Sequence, residues 1–283
     1  MDSIITALGK YWAAFGLDWD RRFHPQIRAA LNGYHKLRPP IKRERRPFTI
    51  AHLLAVRRFL PLHTYDGTLI WSALLIGYFW GGRSCEYTVN ESSDWYSTLQ
   101  RSDLQFIYSS SDAVELILDF RFHKANKWGL YDARVAVACT CGDDLPFCPV
   151  HDLLRFVGLR DALFGSSPLP QHRPLLIQKR NGMPMMAKHL NNAIKYLIAR
   201  IGLNEDHYAS HSLRSGRATD LARSGKPAYL IQKWGRWRSD CWKEFYLKLC
   251  FTDIAVLTKS SLHSLGLADT STPLLASSLP AIN

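Results

Sequence analysis

The run TLIWSALLIGYFW, Thr68 to Trp80, contains no charged residue, and the pair Gly81-Gly82 follows it at once. A helix of this composition has no face suited to water, and it is shorter than the ~18 residues that a membrane-spanning helix needs. The rest of the chain must therefore cover it on every side. A layered helical domain meets that requirement, with the glycine pair as the stop of the helix.

Apolar periodicity predicts further helices over Thr49 to Leu60, Pro149 to Leu163, Lys188 to Ile201, His211 to Arg223, Ala228 to Trp234 and Asp240 to Leu249. Alternating and β-branched runs at Asp103 to Tyr108, Ala113 to Phe122 and Ala133 to Cys139 predict a small antiparallel sheet. The fold class is mainly α with one small sheet (α+β). Two short helices are expected at residues 3–16 and 24–36, too little for a core of their own. Three regions follow: a partial helical segment with a basic linker at 1–46, the main domain at 47–265, and a tail at 266–283 rich in Ser, Thr, Pro and Ala.

The 283 residues carry a formal charge of +12, which favours a polyanionic partner over an acidic one. Between Asp18 and Arg46 nine basic residues face three acidic ones. The stretch RPPIKRERRP, with Arg38, Lys42, Arg43, Arg45 and Arg46 in or beside it, is expected to cross a phosphate backbone or to serve as a solvated tether. No secretory signal is visible, and the six cysteines are spread irregularly, so an intracellular protein with reduced thiols is expected. It would work in the nucleus of a eukaryote or the cytoplasm of a prokaryote, away from membranes.

The segment HSLRSGRATDLARSG sets His211 and Arg214 on one helical face, three residues apart, while Gly216 lets another element approach closely. Downstream, IQKWGRWRSDCWKEFY places Trp237 and Tyr246 nine residues apart. Along one helix they would point to opposite sides, so they share a site only if RWRSD makes a turn, for which Ser239 is a suitable cap.

These two segments resemble the catalytic half of the tyrosine recombinases, the phage-integrase-like enzymes that cut and rejoin DNA. The resemblance extends over about Thr49 to Leu262. LLIGYFWGGRSCEY supplies the family's upstream arginine, Arg83, with the acidic Glu86 three positions on, and DFRFHKANKWG offers the hairpin lysine, Lys124, with Lys127 as its rival. The resemblance implies that Arg83 and Arg214 clamp the scissile phosphate, that Tyr246 attacks it, and that Lys124 protonates the departing 5′ oxygen. The product would be a 3′-phosphotyrosyl bond, with Glu86 orienting an arginine. Many members have histidine where this chain has Trp237; an indole N–H can donate to a phosphate oxygen but cannot act as a base.

The residue types suit that chemistry. Planar guanidinium forks match the nonbridging oxygens of a phosphodiester. An ordinary phenol ionises near pH 10, so roughly one in a thousand is ionised at neutral pH, and His211 is the base to hand. Neither ATP nor a catalytic metal is implied. Double-stranded DNA is the expected partner, with self-association on it. Two other readings stand beside this one: a DNA-binding relic of a mobile element that no longer cuts, and a type IB topoisomerase-like activity.

A separate cluster, CTCGDDLPFCPVH, holds Cys139, Cys141, Cys148 and His151. CxC followed by CxxH is a set of four soft ligands for a structural, tetrahedral zinc. Alternatively, Cys139 merely ends a strand and CPVHDLL starts a helix.

Overall fold

A computed structural model describes residues 29, 33, 44–90, 95–122, 133–143, 145–240 and 242–246. The chain divides into two compact units, residues 1–44 and residues 45–283. The helices expected at 3–16 and 24–36, the tail, Lys124, Lys127, Arg38, Lys42 and Arg43 lie outside the described residues.

Within the larger unit, helices α1 (Ile50–Arg57), α2 (Tyr65–Phe79) and the short α3 (Ser84–Tyr87) precede strands β1 (Leu104–Ser109), β2 (Asp112–Asp119) and β3 (Arg134–Ala138). Helices α4 (Pro149–Phe164), α5 (Ala187–Arg200), α6 (Ser210–Arg223), α7 (Ala228–Trp234) and α8 (Trp242–Tyr246) follow. Among the described residues no helix is long and apolar enough to cross a membrane.

Helix α2 is the axis of the unit: all of its residues except Asp66 and Ile70 are buried. It packs against α4 and α6, as an all-apolar helix requires. It begins three residues before the apolar run does, because the Thr64 hydroxyl caps it by accepting the Gly67 N–H at 3.1 Å. Its end is set by Gly81, whose φ of +60° turns the chain through a conformation that glycine adopts freely.

The sheet has the order β1-β2-β3, antiparallel throughout. Leu116 and Leu118 of β2 and Val135 of β3 are buried, with Leu116 opposite both Phe106 and Val137. Trp80 joins the sheet to α2, its indole N–H donating to the Leu116 carbonyl at 3.1 Å. The connection from β2 to β3 spans the residues that include both candidate lysines.

Helix α6 approaches the chain ahead of α1 so closely that a Cβ on Gly216 would stand 1.8 Å from the Phe48 carbonyl oxygen. The Phe48 N–H donates to the Ser212 carbonyl at 2.8 Å. One loop and one helix face are thereby fixed together, and that helix carries His211 and Arg214. Three short contacts had no periodic signal in the sequence: the isolated bridges Val89 with Met186, Gln100 with Pro174, and Ile177 with Pro184.

Candidate active site

The Gly81 turn delivers Arg83 to the N-cap of α3, where the Glu86 carboxylate meets it twice. Glu86 Oε2 accepts the Arg83 backbone N–H at 2.8 Å, and Oε1 takes the guanidinium at 2.6 Å. Glu86 is only 2% exposed. A second guanidinium, that of Arg236, reaches the same carboxylate at 2.8 Å and the Gly81 carbonyl at 3.0 Å. Arg236 also lies 4.0 Å from the ring centre of Phe120. Its backbone has φ of +51°, strained for a residue with a Cβ, so this turn holds the side chain inward at a conformational cost.

Arg214 projects from the second turn of α6 and is 1% exposed. Its Nη1 donates to the Gly81 carbonyl at 2.6 Å and its Nη2 to the Gly235 carbonyl, so one guanidinium ties the glycine turn after α2 to the glycine that ends α7. Above it lie two rings: Trp237 at 4.6 Å and Tyr246 at 5.6 Å from the guanidinium carbon. Trp237 stacks on Trp242 at 5.2 Å, with the planes 10° apart. The turn between α7 and α8 thus brings the two residues that one helix would have separated to 4.7 Å between ring centres.

Tyr246 is positioned through its backbone. Ser215 Oγ donates to the Tyr246 carbonyl at 2.8 Å and Thr219 Oγ1 at 3.4 Å, both from α6. His211, on the first turn of the same helix, places its ring 4.6 Å from that of Tyr246. Sequence reasoning named Arg83, Glu86, His211, Arg214, Trp237 and Tyr246, and the fold gathers all six into one linked cluster. It missed Arg236, Ser215 and Thr219. The GRW turn could have drawn attention to Arg236, whereas no local signal marks the two hydroxyls.

The cluster is rich in cations. Burial pushes the Glu86 carboxyl up, but Arg236, Arg83 and Arg214, with the Arg83 backbone N–H, outweigh it and hold the group below the usual range. Burial, then Arg83 and Arg236, pull Arg214 down to about 9, which leaves it cationic at neutral pH. The crowding of protein around His211, then Arg214, Arg83 and Arg45, lowers its pKa to about 4. The residue keeps an exposed surface, and the downward direction is also what the positive end of a helix would give. His211 is therefore a neutral base at neutral pH. Arg45 stands near because its guanidinium donates to the carbonyls of Asp206 at 3.0 Å and Tyr208 at 3.3 Å. The Arg46 N–H donates to the His207 carbonyl at 2.9 Å.

Donors outnumber acceptors. Arg214 Nε, Arg236 Nε and Nη1, and Trp237 Nε1 are buried N–H groups with no acceptor among the described residues. Each such group costs about 1–3 kcal/mol when left unpaired. An anion is the natural partner for them.

The phage integrase family model matches residues 160–251, the stretch that holds His211, Arg214, Trp237 and Tyr246. No curated protein matches the chain. Among solved structures, the chain is similar to the crystal structure of XerA recombinase, with a TM-score of 0.53 and 16% identity over 91% of this chain and 73% of that one. It is similar to XerH site-specific recombinase bound to a palindromic difH substrate in a post-cleavage complex, with a TM-score of 0.54 and 16% identity over 77% of this chain and 54% of that one. The Tn1549 transposon integrase in complex with circular intermediate DNA gives a TM-score of 0.51 and 14% identity over 89% and 82%. At these identities the likeness is one of fold.

Proposed function

We infer that this chain, which has the tyrosine recombinase fold and a phage-integrase family segment at residues 160–251, breaks and rejoins double-stranded DNA in site-specific recombination. The observation that carries the reading is the cluster itself: buried arginines with N–H groups to spare, a neutral histidine, and Tyr246 anchored beside them by α6.

In this reading Arg83 and Arg214 bind the nonbridging oxygens of one phosphodiester, and Trp237 Nε1 adds a donor. Tyr246 Oη attacks phosphorus and passes its proton to His211 as the P–O5′ bond breaks. The departing 5′ oxygen takes a proton from Lys124, or from Lys127 if the hairpin register favours it. The 3′-phosphotyrosyl bond keeps the energy of the broken ester, so a 5′ hydroxyl can reverse the step on the same strand or a new one. Rings of Trp237 and Tyr246 cover Arg214, so the phosphate must part them to reach it. Exchange between duplexes needs several active tyrosines in one complex, and the chain is accordingly expected to self-associate on DNA. Glu86 positions the clamp, its carboxylate holding Arg83 and Arg236.

The test is a nicked suicide duplex carrying the sequence that flanks the protein's own gene. A covalent protein–DNA adduct is expected with the unaltered chain and none with Tyr246→Phe, at nearly unchanged binding. An adduct of equal yield in Tyr246→Phe would refute Tyr246 as the nucleophile, and binding with no adduct from the unaltered chain would favour a DNA-binding relic.

A further inference from the structure

A second cluster of reactive side chains stands apart from the cations. Cys139 follows the last residue of β3, Cys141 lies in the next turn, Cys148 is the N-cap of α4, and His151 is on the first turn of that helix. Both local alternatives for these residues hold at once: Cys139 does end a strand, and CPVHDLL does start a helix. The fold nonetheless brings one ligand atom from each to within 4.8 Å of the others.

The distances have the pattern of a coordination sphere. His151 Nδ1 lies 3.1 Å from Cys141 Sγ, 3.3 Å from Cys148 Sγ and 3.6 Å from Cys139 Sγ. Cys148 Sγ and Cys139 Sγ are 3.6 Å apart. A tetrahedral zinc with Zn–S of ~2.3 Å and Zn–N of ~2.0–2.1 Å has edges of about 3.8 Å between sulfurs and about 3.5 Å between sulfur and nitrogen. Hydrogen bonding does not account for the convergence, because one imidazole nitrogen has a single proton or a single lone pair to offer, and three sulfurs approach it. A disulfide does not account for it either, since that bond would bring two sulfurs to ~2.05 Å and leave the third without a role.

Charge on the sulfurs is provided for. The Thr140 N–H points to Cys148 Sγ at 3.3 Å and the Cys141 N–H to Cys139 Sγ at 3.4 Å. Cys148 also sits at the positive end of the sixteen-residue helix α4. Backbone N–H groups that steady thiolates are the outer support typical of such sites. We propose that Cys139, Cys141, Cys148 and His151 bind one zinc ion in a structural site, three thiolates and one imidazole nitrogen closing its four positions. Three soft sulfurs select zinc over magnesium or calcium. The ion ties the end of β3 to the start of α4, and β3 is the strand that follows the segment bearing Lys124 and Lys127. It takes no part in strand cleavage.

The full chain, produced without a histidine tag and purified with a reductant and no chelator, is expected to contain about one zinc per chain by elemental analysis. Replacing zinc by cobalt(II) should give a visible spectrum with thiolate-to-metal charge transfer and tetrahedral ligand-field bands. Cys139→Ser and Cys148→Ser should each lower zinc retention in chelator competition by about tenfold or more, while Cys85→Ser, at an exposed cysteine outside the cluster, should not. The cobalt spectrum is read on the unaltered protein, so it decides the matter even if the serine variants fail to fold. The proposal is overturned by a zinc content below about 0.1 per chain after incubation with zinc under reductant, by a cobalt spectrum without charge transfer, or by full zinc retention in both Cys139→Ser and Cys148→Ser. These outcomes are independent of whether the protein cleaves DNA.

Discussion

Glu86 shows what one buried group decides at this site. It is the carboxylate on which Arg83 and Arg236 both close, and without it two guanidiniums would face each other in a low-dielectric setting. Glu86→Gln should therefore cost about 3–5 kcal/mol in chemical denaturation, more than a surface substitution by far. Arg214 makes the opposite case, a cation fixed by carbonyls and still carrying an unpaired N–H. Arg214→Ala is expected to lower the rate of cleavage by a factor of about a hundred or more, and Arg214→Lys to recover only part of it, since the planar fork is lost. Cleavage at the original rate in the alanine variant would remove Arg214 from the clamp. His211 gives a readout that needs no substrate. Its imidazole should titrate near pH 4 by NMR rather than at 6.5, and bound DNA should raise that midpoint, because a phosphate favours the imidazolium. The sign for stability follows: the unfolded chain takes up this proton below about 6.5 while the folded chain refuses it until about 4. The contribution of His211 is thus full above that window and lost as the pH falls through it. A midpoint at or above 6.5 in the free protein would contradict the arrangement of Arg214, Arg83 and Arg45 around the ring.

Elements meet here through positions too small to attract notice, and two glycines separate packing from propensity. Gly216 of α6 faces the Phe48 backbone, which cannot yield, so Gly216→Ala should destabilise the fold by about 1–3 kcal/mol. Gly158 of α4 has nothing within 4 Å of where a Cβ would lie, and Gly158→Ala should instead stabilise by about 0.5–1 kcal/mol. Equal effects in urea denaturation would mean that the contact of α6 with the chain before α1 is not as described. The same distinction explains what was legible in the sequence. Elements with a strong apolar signature, such as the unbroken apolar run within Tyr65–Phe79 and the apolar stretch of Asp112–Asp119, announce themselves because burial imposes the pattern. Single-residue bridges such as Val89 with Met186 have no period to display. Candidate site residues on helices were legible through spacing and family resemblance, as with His211 and Arg214, which the fold places in one cluster with Tyr246. Arg236 was not, because its role depends on a positive-φ turn and on Glu86, 150 residues away, and neither is encoded in its neighbours. The cysteine and histidine set was visible as a pattern, yet only the juxtaposition of β3 and α4 brings one ligand atom of each residue within 4.8 Å of the others.

At the scale of the whole molecule, the charge distribution sets the expectation for how DNA would be held under the proposed function. A formal charge of +12 on 283 residues makes long-range attraction to a polyanion strong and dependent on ionic strength. Each phosphate neutralised releases counterions, so the logarithm of the binding constant falls with the logarithm of salt by about 0.9 per contact. If the linker crosses the backbone, replacing Arg38, Lys42 and Arg43 together by alanine in the full chain should reduce the magnitude of that slope by about 3. An unchanged slope would mean that the segment is a tether with no phosphate contacts. Arg45 belongs to the same basic run, and its guanidinium is tied to the carbonyls of Asp206 and Tyr208 beside α6. Its effect should therefore divide between binding and chemistry. Arg45→Ala removes the least of the causes that depress His211, so the imidazole midpoint should rise only slightly from about 4, with burial, Arg214 and Arg83 still holding it down. NMR titration of Arg45→Ala, read beside its salt slope, tests whether this cation acts on His211 as well as on binding. A midpoint that stays put in Arg45→Ala would show that this cation does not reach the site.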